Sequence, residues 1–300
     1  MLEWKTITLR DKPWVDEIVM AENSPSADFN FGNMYIWDDE YDQKICRFGG
    51  RLLTMLPYEG QMAFAFPVGS GDLKPAVYAM KEYADAHGFP LRLLGVTELH
   101  IELLEREFPN RFSFAEELGC ADYIYSAEKL ASFSGKALHA KKNHCNHFEA
   151  EYDWDFLPLT RELIPGCIQM LEDWTAYNAA RLDESIHYEN AAILRAFADY
   201  ESLDLEGGVL RIDEKIVGFS IGEMCSRDTL NVHFEKADIR INGAYTMVCR
   251  EFVRMVMAKR GSLRYVNRED DMGLDSLRRS KLSYKPEYLL KKYDGRWNDD

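Results

Sequence analysis

Two stretches of the chain concentrate residues able to do chemistry. The first, "SGKALHAKKNHCNHFEAEY" (Ser134–Tyr152), packs three lysines, three histidines, two asparagines and a cysteine into one run. His144 and His147 share a helix face, but Cys145 points elsewhere and His139 stands at poor helical spacing, so a tetrahedral zinc site lacks further ligands. As a helix, the run turns Leu138, Cys145 and Phe148 inward and leaves His139, Asn143, Asn146 and His147 on a polar face with Lys142 beside it. Such a face suits hydrogen bonds to a polar substrate, through Lys142, Asn143 and Asn146, or to a neighbouring module. A solvated linking helix explains it as well.

The second stretch is "VNREDDMGLDSLRRSKLSYKPEYLLKKY". Asn267 ends a predicted strand, and ligands of open α/β sheets gather outside the carboxyl ends of strands. Glu269, Asp270 and Asp271 follow. Mutual repulsion among three carboxylates raises the pKa of at least one, which suits a proton acceptor or an ammonium clamp; capping of the next helix is the plain alternative. Arg278, Arg279, Lys281, Lys285, Lys291 and Lys292 then form a basic patch in a chain of formal net charge −15. A patch running against the bulk charge points to an anionic partner, with Lys281 placed to pair with a phosphate or carboxylate.

Weaker signals lie elsewhere. Gly69-Ser70-Gly71, between a strand and a helix start, offers backbone N–H groups to an anion, although a turn capped by Asp72 accounts for it. Leu163, Cys167, Met170, Leu171, Trp174, Tyr177 and Arg181 lie on one helical stripe; its polar end, Tyr177 and Arg181, suits a cleft, and a packed tyrosine with a surface arginine accounts for it as well.

Elements must position these groups. In the first half the order is a helix (about Lys12 to Asn23), a hairpin turning at Gly49-Gly50, a strand "QMAFAFPV", a helix from Asp72 to Gly88, a strand "LRLLGV", a helix "TELHIELLEREF" and a strand "ADYIYSA". The second half repeats it: a hairpin turning near Asp213-Glu214, "TLNVHFEKA", the helix "GAYTMVCREFVRMVMAKRG", "SLRYVNRED", "MGLDSLRRSKLSY" and a last strand "EYLLKKY". Few residues match between the halves; the order of elements does. The expected organisation is α/β (α+β): two tandem modules, each a mixed twisted sheet flanked by helices. The N-terminal module spans 1–130, a connecting helix and seam 131–160, and the C-terminal module 161–300.

Composition bounds the rest. At 300 residues, 46% hydrophobic and 13% aromatic, the chain can bury a sizeable core. The acidic balance argues against DNA and against generic nucleic-acid binding. Six cysteines without a Cys-x-x-Cys pair read as reduced, mostly buried thiols. No apolar run approaches the ~20 residues of a membrane helix, and the N-terminus resembles no leader, so a cytoplasmic chain without stable membrane insertion is expected.

The segment "EKADIRINGAYTMV" is where the second module resembles the GCN5-related N-acetyltransferase superfamily. Its loop pattern, Arg/Gln-x-x-Gly-x-Gly/Ala, receives the pyrophosphate of acyl-coenzyme A. Arg240 and Gly243 match it; Ala244 falls one place early and Tyr245 stands last. The resemblance implies an acyl-CoA contact at Arg240, Gly243 and Ala244. More specifically, "LHAKKNHCNHF" together with "NREDDMGLDSLRRSKLSYKP" resembles the bacterial family related to the C-terminal domain of phosphatidylglycerol lysyltransferase, over nearly the whole chain. This implies tandem acetyltransferase-like modules, as in the Fem transferases, and movement of an aminoacyl group from aminoacyl-tRNA to a lipid or peptide amine.

Acyl transfer to an amine or hydroxyl requires donor and acceptor held together, a proton acceptor and oxyanion stabilisation. The strand ending at His233 to Glu235, splayed from its neighbour, would offer the oxyanion its backbone N–H groups. Glu223, Glu235 and His233 are candidate bases, and Asp271 joins them from the acidic cluster. The acetyltransferase resemblance assigns Tyr284 as acid. The expected function is acyl or aminoacyl transfer in a cleft between the modules, from a small-molecule or aminoacyl-tRNA donor. The alternatives are coenzyme-A-dependent N-acetylation of a small amine and a non-catalytic binding protein that keeps the fold.

Overall fold

A computed structural model describes residues 2–179 and 185–299. The chain forms two compact units that do not follow chain order. The first comprises Met1–Asp122, Asp270–Leu274 and Leu289–Asp300; the second comprises Tyr123–Glu269 and Asp275–Tyr288.

In the first unit the strands are β1 (Lys5–Thr6), β2 (Lys44–Phe48), β3 (Arg51–Tyr58), β4 (Gln61–Ala65), β5 (Val68–Gly69), β6 (Arg92–Val96) and β7 (Phe112–Glu116), and its helices are α1 (Lys12–Glu22), α2 (Phe31–Ile36), α3 (Asp38–Tyr41), α4 (Leu73–His87) and α5 (Glu98–Glu107). Those of the second sheet are β8 (Asp122–Ser126), β9 (Trp154–Pro158), β10 (Glu206–Ile212), β11 (Lys215–Met224), β12 (Thr229–Ala237), β13 (Tyr265–Asn267) and β14 (Tyr288–Leu290). A final strand, β15 (Tyr293–Trp297), returns to the first sheet. The sheet orders are β1-β2-β3-β4-β6-β15-β7, with β5 beside β3, and β14-β8-β13-β12-β11-β10-β9.

Both sheets repeat one layout. A hairpin (β2–β3; β10–β11) continues antiparallel into a third strand (β4; β12). A helix then crosses to a parallel neighbour: α4 (Leu73–His87) to β6, and α10 (Ala244–Lys259) to β13. The strand that pairs antiparallel on the far side of β6 is β15, from the end of the chain, whereas β13 receives β8, from its middle. Each sheet thus takes one strand from the opposite half of the sequence. The two tandem mixed sheets are the expected fold class. The strands missed by pattern are β1, β7, β9 and β15: in the last, "YDGRW" has no clean alternation, and it is held by tertiary partners. Asp294 pairs with Arg92 and Arg296, and Trp297 packs edge-on to Phe112 and Phe108.

In the second unit α10 buries Met247, Val248, Phe252, Val253 and Val256 against the sheet and against α6 (Ala127–Ser132) and α7 (His139–Glu151), whose Cys145 and Phe148 are core residues. Helices α8 (Ile164–Asn178) and α9 (Ser185–Ala198) precede β10, α8 packing on β11; α11 (Asp275–Ser283) buries no residue.

Candidate functional site

The chemistry gathers where β12 and β13 part. Their parallel pairing covers Thr229↔Tyr265, Leu230↔Val266 and Asn231↔Asn267, after which β12 runs on to Ala237 alone on that side. On its other edge, Ile221 pairs with Phe234 and Gly222 with Val232, so His233 is the extra residue of a bulge. Bulges re-aim side chains beside functional sites. Gly222 permits this one: a Cβ there would come within 2.2 Å of the Asn231 carbonyl oxygen.

The bulge buries His233 between two carboxylates. Its Nε2 lies 3.0 Å from Glu223 Oε1 and its Nδ1 3.2 Å from Glu269 Oε1. Asn231 Nδ2 donates to the same Glu269 oxygen at 3.0 Å, and Asn267 Oδ1 accepts the Glu269 backbone N–H at 2.7 Å. Burial disfavours the imidazolium, but the hydrogen bonds to Glu223 and Glu269 outweigh it and push the His233 pKa up to about 9. Both ring nitrogens therefore donate near neutral pH. The geometry suits an orienting cation and leaves His233 no lone pair with which to act as a base.

A second cluster sits two residues along β12. Arg268 Nη2 donates to Glu235 Oε1 at 2.7 Å, and the guanidinium lies 4.5 Å from the centre of the Tyr284 ring. Lys141 Nζ lies over the same ring at 3.7 Å. Burial pushes the Glu235 carboxyl up against the pull of Arg268, Lys281 and Lys141; the contact is an ion pair. Burial, reinforced by Arg268, pulls Lys141 down. Burial also holds the Tyr284 phenol far above its ordinary range, so it stays a proton donor. Lys281 ties the turn together by donating to the Arg268 and Glu269 carbonyls. Two polar atoms here are buried without a partner, Asn231 Oδ1 and Arg268 Nη1.

The structure thus brings together Glu223, His233, Glu235, Asn267, Lys281 and Tyr284. Asp271 belongs to the other unit, where its carboxylate accepts the Gly273 N–H at 2.9 Å. Lys142, Asn143 and Asn146 are exposed on α7, and the lysine that turns inward is Lys141. Arg181 lies outside the described residues. Sequence reasoning passed over Asn231, Arg268 and Lys141. The available signals were an amide inside an apolar strand and an arginine directly after one; nothing in the Lys-Lys pair marked which member faces the core.

The coenzyme A loop does not fit a pyrophosphate. Arg240 is engaged by Asp238 in a bidentate ion pair at 2.8 and 2.6 Å. Gly243, at φ 87°, has its open side against α7, where a Cβ would meet the His144 carbonyl oxygen at 2.7 Å. The glycine serves helix packing, and the carbonyl repels an anion. Ala244 is buried in the core, and Tyr245 OH accepts from Trp174 Nε1 at 3.0 Å.

Residues 22–294 match the family model described as phosphatidylglycerol lysyltransferase, C-terminal. A conserved protein of unknown function from Bacteroides thetaiotaomicron has a crystal structure that is 35% identical, with 99% of this chain and 100% of that one covered at a TM-score of 0.94. The structure of L-PGS from Bacillus licheniformis is 14% identical over 99% of this chain and 93% of that one, at a TM-score of 0.67, and shows the fold. An uncharacterized protein of Mycoplasmoides gallisepticum is 28% identical over 178 residues, 57% of this chain and 54% of the relative, so the match spans about half of that relative's length. No helix among the described residues is long and apolar enough to cross a membrane. The fold is the tandem acetyltransferase arrangement of the structural neighbours. The chain belongs to the phosphatidylglycerol lysyltransferase C-terminal family.

Proposed function

We propose that the second unit transfers an activated aminoacyl group from an ester donor to an amine or hydroxyl acceptor, in the opening between β12 and β13. One observation carries this reading. A buried ion pair is rarely better than well-packed hydrocarbon for stability, yet Glu235–Arg268 and Glu223–His233–Glu269 fill this opening, and Asn231 Oδ1 and Arg268 Nη1 are left for further partners. An acceptor oxygen and a cationic N–H suit the ammonium and the carbonyl of an aminoacyl ester. The poor fit of the loop to pyrophosphate speaks against coenzyme A as carrier. Arg279 and Lys285, exposed on and just after α11, offer a local basic face to an anionic carrier such as tRNA.

In this reading the acceptor nucleophile attacks the ester carbonyl. Arg268 and Lys141 stabilise the negative charge that develops on its oxygen. Glu269, the most exposed carboxylate of the set at 26% of its side chain, takes the proton from the nucleophile. Tyr284 gives a proton to the departing hydroxyl oxygen, which leaves as the ester C–O bond breaks; Glu269 then releases its proton to water and the phenolate takes one back, so the cycle closes without net proton change. His233 touches neither reactant; it fixes Glu269 and Glu223.

The test measures consumption of radiolabelled aminoacyl-tRNA and of acetyl-coenzyme A by the purified protein, with small amines and with lipid acceptors. The expected result is loss of the aminoacyl ester, slowed at least 100-fold in Glu269→Gln. Turnover of acetyl-coenzyme A, or no dependence on Glu269, would overturn the reading.

A further inference from the structure

A cavity of about 300 Å³ lies in the second unit, between one face of α8, the tip of the β10–β11 hairpin and the loop after β12. Leu163, Met170, Trp174 and Ile216 give it apolar and aromatic surface, and Tyr177 stands at its edge with 54% exposure. Its close walls follow from Gly166, where a Cβ would come within 2.6 Å of Ile216 Cδ1.

The charges decide what enters. Both guanidinium groups at the cavity are already neutralised. Arg211 is bidentate to Asp155 at 2.8 and 2.5 Å, and Arg240 is bidentate to Asp238. Among the described residues that line the cavity, Glu162, Asp173 and Glu214 then face one further cation, Lys215, while the Lys236 ammonium at the Trp174 ring is paired with Glu189. The two aromatic rings already carry cations: Lys236 Nζ sits 4.1 Å from the Trp174 ring centre and the Arg240 guanidinium 5.2 Å from that of Tyr177. With both ring faces taken, the apolar walls and the surplus carboxylate together select an amphiphilic cation and repel carboxylates and phosphates.

We propose that this cavity binds a small amphiphilic cation, an ammonium with an apolar or aromatic body. The site does not depend on the transfer chemistry proposed above, since none of Glu223, His233, Glu269, Arg268 or Tyr284 lines it.

Isothermal titration of the full chain with hexylammonium, hexanol and hexanoate tests it. Hexylammonium should bind saturably, hexanol more weakly and hexanoate not at all. The exposed double variant Asp173→Asn, Glu214→Gln should weaken hexylammonium about five- to tenfold, as loss of two partly screened charge contacts predicts, and should leave hexanol unchanged. Binding of hexanoate as tight as hexylammonium, equal affinity of variant and parent, or no saturable binding would each overturn the proposal. A hexylammonium effect on aminoacyl-ester consumption is not required, so failure here and failure of the transfer reading are distinguishable.

Discussion

The two copies of the layout treat the space beyond their parallel pair in opposite ways. In the first unit β4 and β6 pair at Phe64↔Leu93 and Ala65↔Leu94, and the next residue, Phe66, is fully buried with its ring stacked at 3.7 Å on His100. His100 itself reaches Glu22, whose other oxygen accepts the Gly69 N–H at 2.7 Å, so the polar atoms near that opening are spent on closing it. In the second unit the corresponding stretch holds Asn231, a bulged His233 and Glu235. The layout fixes where strands part; the residues at three or four positions decide whether the gap becomes core or site. Phe66 in one copy shows that the layout does not require charge at the corresponding positions of the other.

Substitutions can break or sharpen that contrast. The largest effect is expected at Arg268. Arg268→Ala leaves Glu235 buried without its ion-pair partner, which should cost about 3–5 kcal/mol in urea unfolding and abolish ester consumption, whereas Glu235→Leu with Arg268→Met should recover most of the stability and none of the activity. If the double variant stays as unstable as the single, the ion pair is structural and the contrast fails.

Phe66→Ala in the first unit should cost a similar ~3–4 kcal/mol through cavity formation, read by the same unfolding curves. Its ester consumption at a temperature where it is folded should be unchanged.

The His233 clamp supplies a pH signature. The folded pKa, about 9, lies above the ordinary value, so the stabilisation is complete below about pH 6.5 and fades as pH rises through 9. His233→Gln should therefore be less stable than the parent by on the order of 3 kcal/mol at pH 6.5, with the gap closing toward pH 9.5 in thermal melts. A gap that widens with pH would show the imidazole to be neutral.

Gly243→Ala should lower stability by roughly 1–3 kcal/mol, from its left-handed backbone and the His144 carbonyl together, with no effect specific to added coenzyme A in a thermal shift. The smallest effect is expected at exposed Lys142: Lys142→Ala should stay within about 0.5 kcal/mol and keep activity, while Lys141→Ala slows ester consumption at least tenfold.

Much of the layout was readable before any coordinates. The hairpins at Gly49-Gly50 and Asp213-Glu214, the α4 and α10 crossovers and the repeat between halves follow from local signals, since turn chemistry and apolar periodicity act over a few residues. The site was half readable. Glu223, His233, Glu235 and Tyr284 stand out as polar types at the ends of strands and helices. Their partners do not, because Asn231 looks like an ordinary strand residue and Arg268 like a strand-flanking one until the sheet sets β12 beside β13.

The sequence by itself determined two α/β modules of repeated order, the acidic bulk with a basic tail, and a set of titratable groups near the ends of the second module's strands. Only the tertiary structure decided which strand completes which sheet, that His233 sits on a bulge between two carboxylates, and that Gly243 faces a carbonyl rather than open space. Those outcomes depend on contacts between segments far apart in the chain, where a residue's charge state and role are set by neighbours that no local pattern specifies.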